Sequence, residues 1–283
     1  MMDYTRRILL QGMGSSGIAL LAPMAFASAD YPKRVLAKHP VAYWRLHELA
    51  GPVAHDATNH GHDGAYRGAV AFGQKGAGHG THGSAIGLNG VDAFVEAPDS
   101  EAFSQATSGR GLSVEAWLRP DLLEFVGQTD QHYVHWLGKG FAGEFEWGFR
   151  FYSKHSSRPN RISAYIWNPT SAPGVRNEGA GAYFQDDLKP GAWLHVVACF
   201  DSGDASDARS GVSIYKDGVL RHGPATSRGA LYSSYQIRPQ RGSAPLRLGT
   251  RDQGSFLAGG LADVAIYPRV LTAGEIQDNF TNA

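Results

Sequence analysis

Cysteine is almost missing from this chain. The single Cys199 among 283 residues excludes an internal disulfide, so stability must come from a packed core, which a chain of this length can supply. Cys199 lies in the apolar run Trp193–Phe200, where a small buried hydrophobe fits. Net charge is missing too. Lys and Arg total 26 and so do Asp and Glu, which leaves no electrostatic footprint for nucleic acid or a membrane surface. No Pro/Ser linker, charge block or fixed-period repeat divides the sequence. No unbroken apolar run reaches the ~20 residues of a spanning helix, because the stretch from about Ile8 to Phe26 is interrupted by Gly, Ser and Pro23.

That stretch reads instead as an address. Arg6-Arg7 precede it, and Ala25-Phe26-Ala27-Ser28-Ala29 offers small-residue cleavage sites. Thr5-Arg6-Arg7-Ile8-Leu9-Leu10 looks like a bacterial twin-arginine export signal, with an ordinary Sec signal as the alternative. Residues 1–29 are therefore expected to be an export signal, and residues 30–283 one domain released to the periplasm or beyond.

Glycine and proline are plentiful, at 36 and 14 residues, which argues against long helices and for short strands between turns. Candidate strands include Ala42–Leu46, Ala65–Phe72, Ala85–Leu88, Phe94–Glu96, Leu112–Arg119, Tyr133–Leu137, Trp147–Tyr152, Ile162–Trp167, Trp193–Phe200, Val212–Tyr215, Leu246–Leu248 and Phe256–Tyr267. Asp217-Gly218 between two apolar runs predicts a hairpin turn. Thr272 with Glu275 predicts a capping box and a helix of about two turns. The expected fold is all-β, a two-sheet antiparallel sandwich or jelly roll with a short C-terminal helix.

Five segments narrow this further. They are Ala42–Glu48, Asp56–Gly64, Gly191–Val197, Ile214–Leu220 and Gly259–Ile276, the last with Asp263 set inside an apolar strand. Together they resemble the LamG-like jelly-roll domains of the concanavalin A-like lectin/glucanase superfamily, over roughly residues 38–281. The resemblance implies a structural calcium ion where first strand, following loop and last strand meet, with ligands from Glu48, Asn59, Gly61 or His60, and Asp263. Calcium takes six to eight oxygens. The alternative is that Asp263 pairs with Arg45 or a turn backbone, while Asp56 caps its own loop.

Catalytic signals are thin. Glu144-Phe145-Glu146 places two acids at i and i+2, the spacing a retaining glycosidase needs on a strand. It departs from the superfamily's Glu-x-Asp-x-Glu cluster and reads rather as a solvated edge. The Arg, Gln-x-His and Tyr signatures of jelly-roll lyases are not seen. His60-x-His62 and His79-x-x-His82 sit in Gly-rich loops expected to face solvent. His195 is expected to be a satisfied structural histidine. Tyr165 and Trp167 share one strand face, about 7 Å apart, with Asn168 and Arg176 near. They make either a sugar-binding platform or core. The leading expectation is an exported, non-catalytic domain binding a polysaccharide or another extracellular ligand. A diverged glycosidase or lyase and a protein-binding adhesion domain are the alternatives.

Overall fold

The computed structural model describes residues 31–77, 84–108, 111–125, 132–141, 144–168, 178–201, 211–222 and 241–283. Residues 1–29, expected to be an export signal, and His79, His82 and Arg176 lie outside the described residues. A helix α1 (Tyr31–Ala37) opens the described chain. The strands that follow are β1 (Ala42–Trp44), β2 (Val53–Ala54), β3 (Gly64–Arg67), β4 (Ala71–Lys75), β5 (Ser84–Asn89), β6 (Phe94–Ala97), β7 (Leu112–Pro120) and β8 (Tyr133–Lys139). Next come β9 (Trp147–Tyr152), β10 (Arg161–Asn168), β11 (Glu178–Gln185), β12 (Leu194–Asp201), β13 (Gly211–Lys216), β14 (Val219–His222), β15 (Leu246–Leu248) and β16 (Ala258–Tyr267). Helix α2 (Ala273–Thr281) closes the chain.

Two antiparallel sheets result. The first runs β14-β13-β12-β7-β16-β5-β4, with β1 also pairing β16; the second runs β11-β10-β9-β8-β15-β6-β3-β2. Their inner faces make the main core, in which Trp147, Phe149 and Phe151 of β9 alternate with outward Gly148, Arg150 and Tyr152. Period-two alternation fixes that division. The expected all-β sandwich and its C-terminal helix are thus present, as are the Thr272/Glu275 capping box and the Asp217-Gly218 turn, with φ of 51° and 76°.

The first sheet is covered on its outer side as well. Tyr31 and Val35 of α1 and Ile276 of α2 pack with Trp117, Val197, Ala265 and Tyr267 in a second apolar cluster. This is why β12 and β16 are apolar along nearly their whole length instead of alternating. The predicted strand Ala65–Phe72 is in fact two, β3 and β4, broken at Gly68 (φ 65°), where a Cβ would lie 2.1 Å from the Asp92 carbonyl oxygen. Strand β11 escapes sequence patterning because Gly179, Ala180, Gly181 and Ala182 lack β-branched side chains.

Candidate functional site

On the second sheet no helix or strand covers the outer face among the described residues. Its side chains follow from register. Tyr183, Ser163, Arg150 and His135 form one cross-strand row, and Gly181, Tyr165, Gly148 and Gly138 form the next. Three glycines in that second row make a trough. The Tyr165 ring lies over Gly181, where a Cβ would come within 2.7 Å of it. Arg251 lies over Gly138 and Gly148, where a Cβ would meet its side chain at 3.0 and 3.1 Å.

Arg251 reaches the trough from the turn between β15 and β16. Arg247 holds that turn, donating to Glu96 at 2.9 Å and to the Arg251 carbonyl at 2.8 Å. Thr250 Oγ1 closes it on the Ser255 carbonyl at 2.6 Å. The Arg251 guanidinium then sits 3.8 Å from the Phe145 ring centroid and 5.0 Å from that of Trp167. Its Nη2 donates to Asp252 at 2.7 Å.

Beside it, the Arg150 guanidinium is 4.4 Å from Tyr133, 4.6 Å from Tyr165 and 5.5 Å from Trp167. Cation–π contacts of this kind strengthen as water is excluded. Arg150 Nε donates to His135 Nε2 at 3.1 Å, which places the histidine proton on Nδ1, 4.0 Å from Asp252. Burial, with the charges of Arg251 and Arg150, holds His135 well below the usual histidine range. Burial also pushes Tyr165 up. For Tyr152 burial acts the same way, but the Arg150 charge and hydrogen bonds from Tyr165 and Arg158 outweigh it and bring the phenol down. The face is a packed lattice of arginines and aromatic rings with half-buried Tyr133, Arg150 and Tyr183 at its surface.

Tyr165 and Trp167 do share this face, stacked with centroids 5.3 Å apart. They are not an open platform: only 1 % and 7 % of their surfaces are exposed, because the two guanidiniums occupy their faces. Asn168 ends β10, opposite Glu178. Arg150, His135 and Arg251 were not legible in the sequence, since an arginine between two aromatics on a strand reads equally as a solvated face.

The residues offered as calcium ligands are engaged differently. Both Glu48 oxygens accept protein donors, His55 N–H at 2.9 Å and the Tyr66 hydroxyl at 2.6 Å. The 56–64 loop closes round Asp56, which accepts from Tyr43 N–H and Thr58 N–H at 3.0 Å each, from the Thr58 hydroxyl, and from His62 N–H at 3.2 Å. Asn59 and Gly61 serve as left-handed turn residues, at φ 63° and 82°. Asp263 sits at a β-bulge with φ 49° and accepts the Tyr43 hydroxyl in a short hydrogen bond. Its pKa is raised to about 7 by burial, against the opposing pull of Tyr43 and Arg45. Among the described residues no three His, Cys, Asp or Glu side chains gather as a metal cluster. With both Glu48 oxygens and Asp56 engaged by N–H and O–H donors, and Asp263 accepting the Tyr43 hydroxyl, this set does not fit a hard cation that needs six to eight oxygens.

The solvated-edge reading of Glu144 and Glu146 is revised. Glu146 is not a solvated edge: it is 1 % exposed and forms a short ion pair with buried Lys139, which Asp99 joins at 2.8 Å. Glu144 accepts from Ser243 N–H at 2.9 Å. Both acids brace the 241–243 segment instead of forming an open pair. His195, expected as a satisfied half-buried histidine, is fully buried: its Nδ1 has no hydrogen-bond partner among the described residues, while its Nε2 is partnered by Glu115. This buried carboxylate lies 2.7 Å from His195 Nε2 and accepts Tyr267 at 2.6 Å, Tyr31 at 3.2 Å and Asn279 at 2.8 Å. Burial opposes its ionisation, yet these bonds hold its pKa below the usual range. Glu115 ties both helices to the first sheet.

The family model described as concanavalin A-like lectin/glucanases superfamily matches residues 89–277. The chain belongs to this superfamily. No curated protein sequence matches it. Among solved structures it is similar to the binding domain of botulinum neurotoxin DC in complex with SialylT, at 11% identity and a TM-score of 0.58, covering 86% of this chain and 51% of that one. It is likewise similar to the binding domain of Paraclostridial Mosquitocidal Protein 1, at 12% identity and a TM-score of 0.56, covering 86% and 52%. Domain 4 of AbnA, a GH43 extracellular arabinanase from Geobacillus stearothermophilus, in complex with arabinotriose, has 16% identity and a TM-score of 0.50, covering 85% and 97%. The chain spans about half the length of the toxin domains it matches. At these identities the likeness is one of fold.

Proposed function

We propose that this superfamily member is an exported carbohydrate-binding domain whose glycan site is the outer face of the second sheet. One observation carries the reading: arginines, tyrosines and a tryptophan are concentrated on the face that no helix covers, while the opposite outer face is closed by α1 and α2. The similarity to an arabinanase domain solved with arabinotriose supports a sugar ligand. Arg6-Arg7 and the apolar run after them support export. With the Tyr165 and Trp167 ring faces occupied, the sugar meets the half-buried Tyr133, Arg150 and Tyr183, where guanidinium and phenol groups hydrogen-bond its hydroxyls. Calcium has no part in this reading, given the donors on both Glu48 oxygens and the Tyr43 hydroxyl on Asp263.

A glycan array probed with the chain from Asp30 onward tests it. Binding to at least one glycan class is expected, at micromolar to millimolar Kd for a site with little buried area. Arg150→Ala should weaken binding by more than tenfold while circular dichroism stays that of a β-sandwich. An array without hits would overturn the carbohydrate reading.

A further inference from the structure

Among the described residues, the same face holds more positive charge than it answers. Arg150 and Arg251 share the Trp167 ring. The carboxylate in hydrogen-bonding contact with Arg251 is Asp252, and one of its oxygens is also taken by Gly254 N–H at 3.1 Å. His135 offers no counter-charge, being held neutral between the two guanidiniums. Among the described residues, the other groups set against the pair are the Phe145 ring on Arg251 and the Tyr133 and Tyr165 rings on Arg150, with the Tyr152 hydroxyl bonded to that of Tyr165. Arg251 is 3 % exposed, and its Nε and Nη1 have no hydrogen-bond partner.

Such an arrangement is costly without a ligand. A buried guanidinium has five N–H directions to satisfy, and donors left open in a low-dielectric site cost stability. Neutral sugar hydroxyls would satisfy the donors without balancing the charge. An anionic oxygen does both, in the short charge-assisted bonds that arginine forms with carboxylate or sulfate.

We propose that the glycan taken by this face is acidic, its anionic group accepting from Arg251 and balancing the Arg150–Arg251 pair. This rests on the carbohydrate reading above and names its ligand class. Asp252 then acts as the resident counter-ion, holding Nη2 and leaving the remaining donors for the ligand.

Calorimetry with a galacturonic acid trisaccharide, a sulfated galactotriose and neutral galactotriose tests it. At least one acidic ligand should bind about tenfold tighter than the neutral one at low salt, and the advantage should shrink in high salt through screening. Preference between the two acidic arms separates carboxylate from sulfate recognition. Arg251→Gln should erase the acidic advantage. Should that variant fail to fold, Asp252→Asn, which removes the resident counter-ion at a partly exposed position, should tighten acidic binding severalfold and leave the neutral ligand unchanged. Equal binding of acidic and neutral ligands, or no gain in Asp252→Asn, would overturn the acidic assignment while leaving a sugar site. Failure of all three to bind, with an array free of hits, would remove both readings.

Discussion

At the scale of single residues, the chain keeps several charges where water cannot reach them, and each makes a measurable claim. Asp263 is the clearest. Its folded pKa of about 7 exceeds the ordinary 3.8, so between those values the native state holds a proton that the unfolded chain has released. Stability therefore falls as pH rises from about 4 to 7, by roughly 4 kcal/mol at about 1.4 kcal/mol per pKa unit. Asp263→Asn removes the titration and suits the left-handed φ of 49°, which Asn tolerates well. Thermal melts should show the variant more stable than the parent at pH 8 and nearly equal at pH 4. Glu146 makes the opposite case. Glu146→Gln leaves buried Lys139 with Asp99 as its counter-ion, so urea unfolding should show a loss of about 3 kcal/mol, the low end of what removing one partner of a buried ion pair costs.

At the scale of elements, Glu115 is the point where two helices and three strands meet. It receives Tyr31 from α1, Asn279 from α2, Tyr267 from β16 and faces His195 of β12. Glu115→Gln turns one of the two acceptor oxygens into a donor facing Asn279 and a tyrosine hydroxyl. A loss of about 3 kcal/mol is expected, and hydrogen exchange should rise first in α1 and α2, since their shared anchor is gone. If protection fell evenly across both sheets, Glu115 would be a general core residue and not a helix anchor. The helix ends were partly legible beforehand. The Thr272/Glu275 box marks α2 locally, whereas α1 has no acidic residue in its first turn and is held by Tyr31 and Val35 beneath it.

For the whole molecule, two outer faces have gone different ways: one closed by helices, the other layered with arginines on aromatic rings. The metal question belongs at this scale, because calcium would join three segments far apart in sequence. With Glu48 and Asp56 taken by protein donors and Asp263 accepting Tyr43, added calcium is expected to leave Tm unchanged in protein first stripped with chelator. Were a site present, calcium at a hundredfold over Kd would add about 2.7 kcal/mol, a shift that differential scanning calorimetry resolves at once.

By itself the sequence determined the all-β sandwich, the Asp217-Gly218 turn and the capped C-terminal helix. All of these depend on neighbours a few residues away: alternation, φ > 0 tolerance, and a side chain returning to its own backbone. Placing Tyr165 and Trp167 on one face followed from the same period. Whether that face was open did not, because its cover comes from Arg251, contributed by a turn some 84 residues later in the chain than Trp167. Glycine 138, 148 and 181 look like turn residues in a sequence, and only register aligns two of them under Arg251 and the third under Tyr165. The fate of Asp263 was decided in the same way. A lone acid in an apolar strand announces a partner, and only tertiary packing brings the Tyr43 hydroxyl to it, while desolvation raises its pKa.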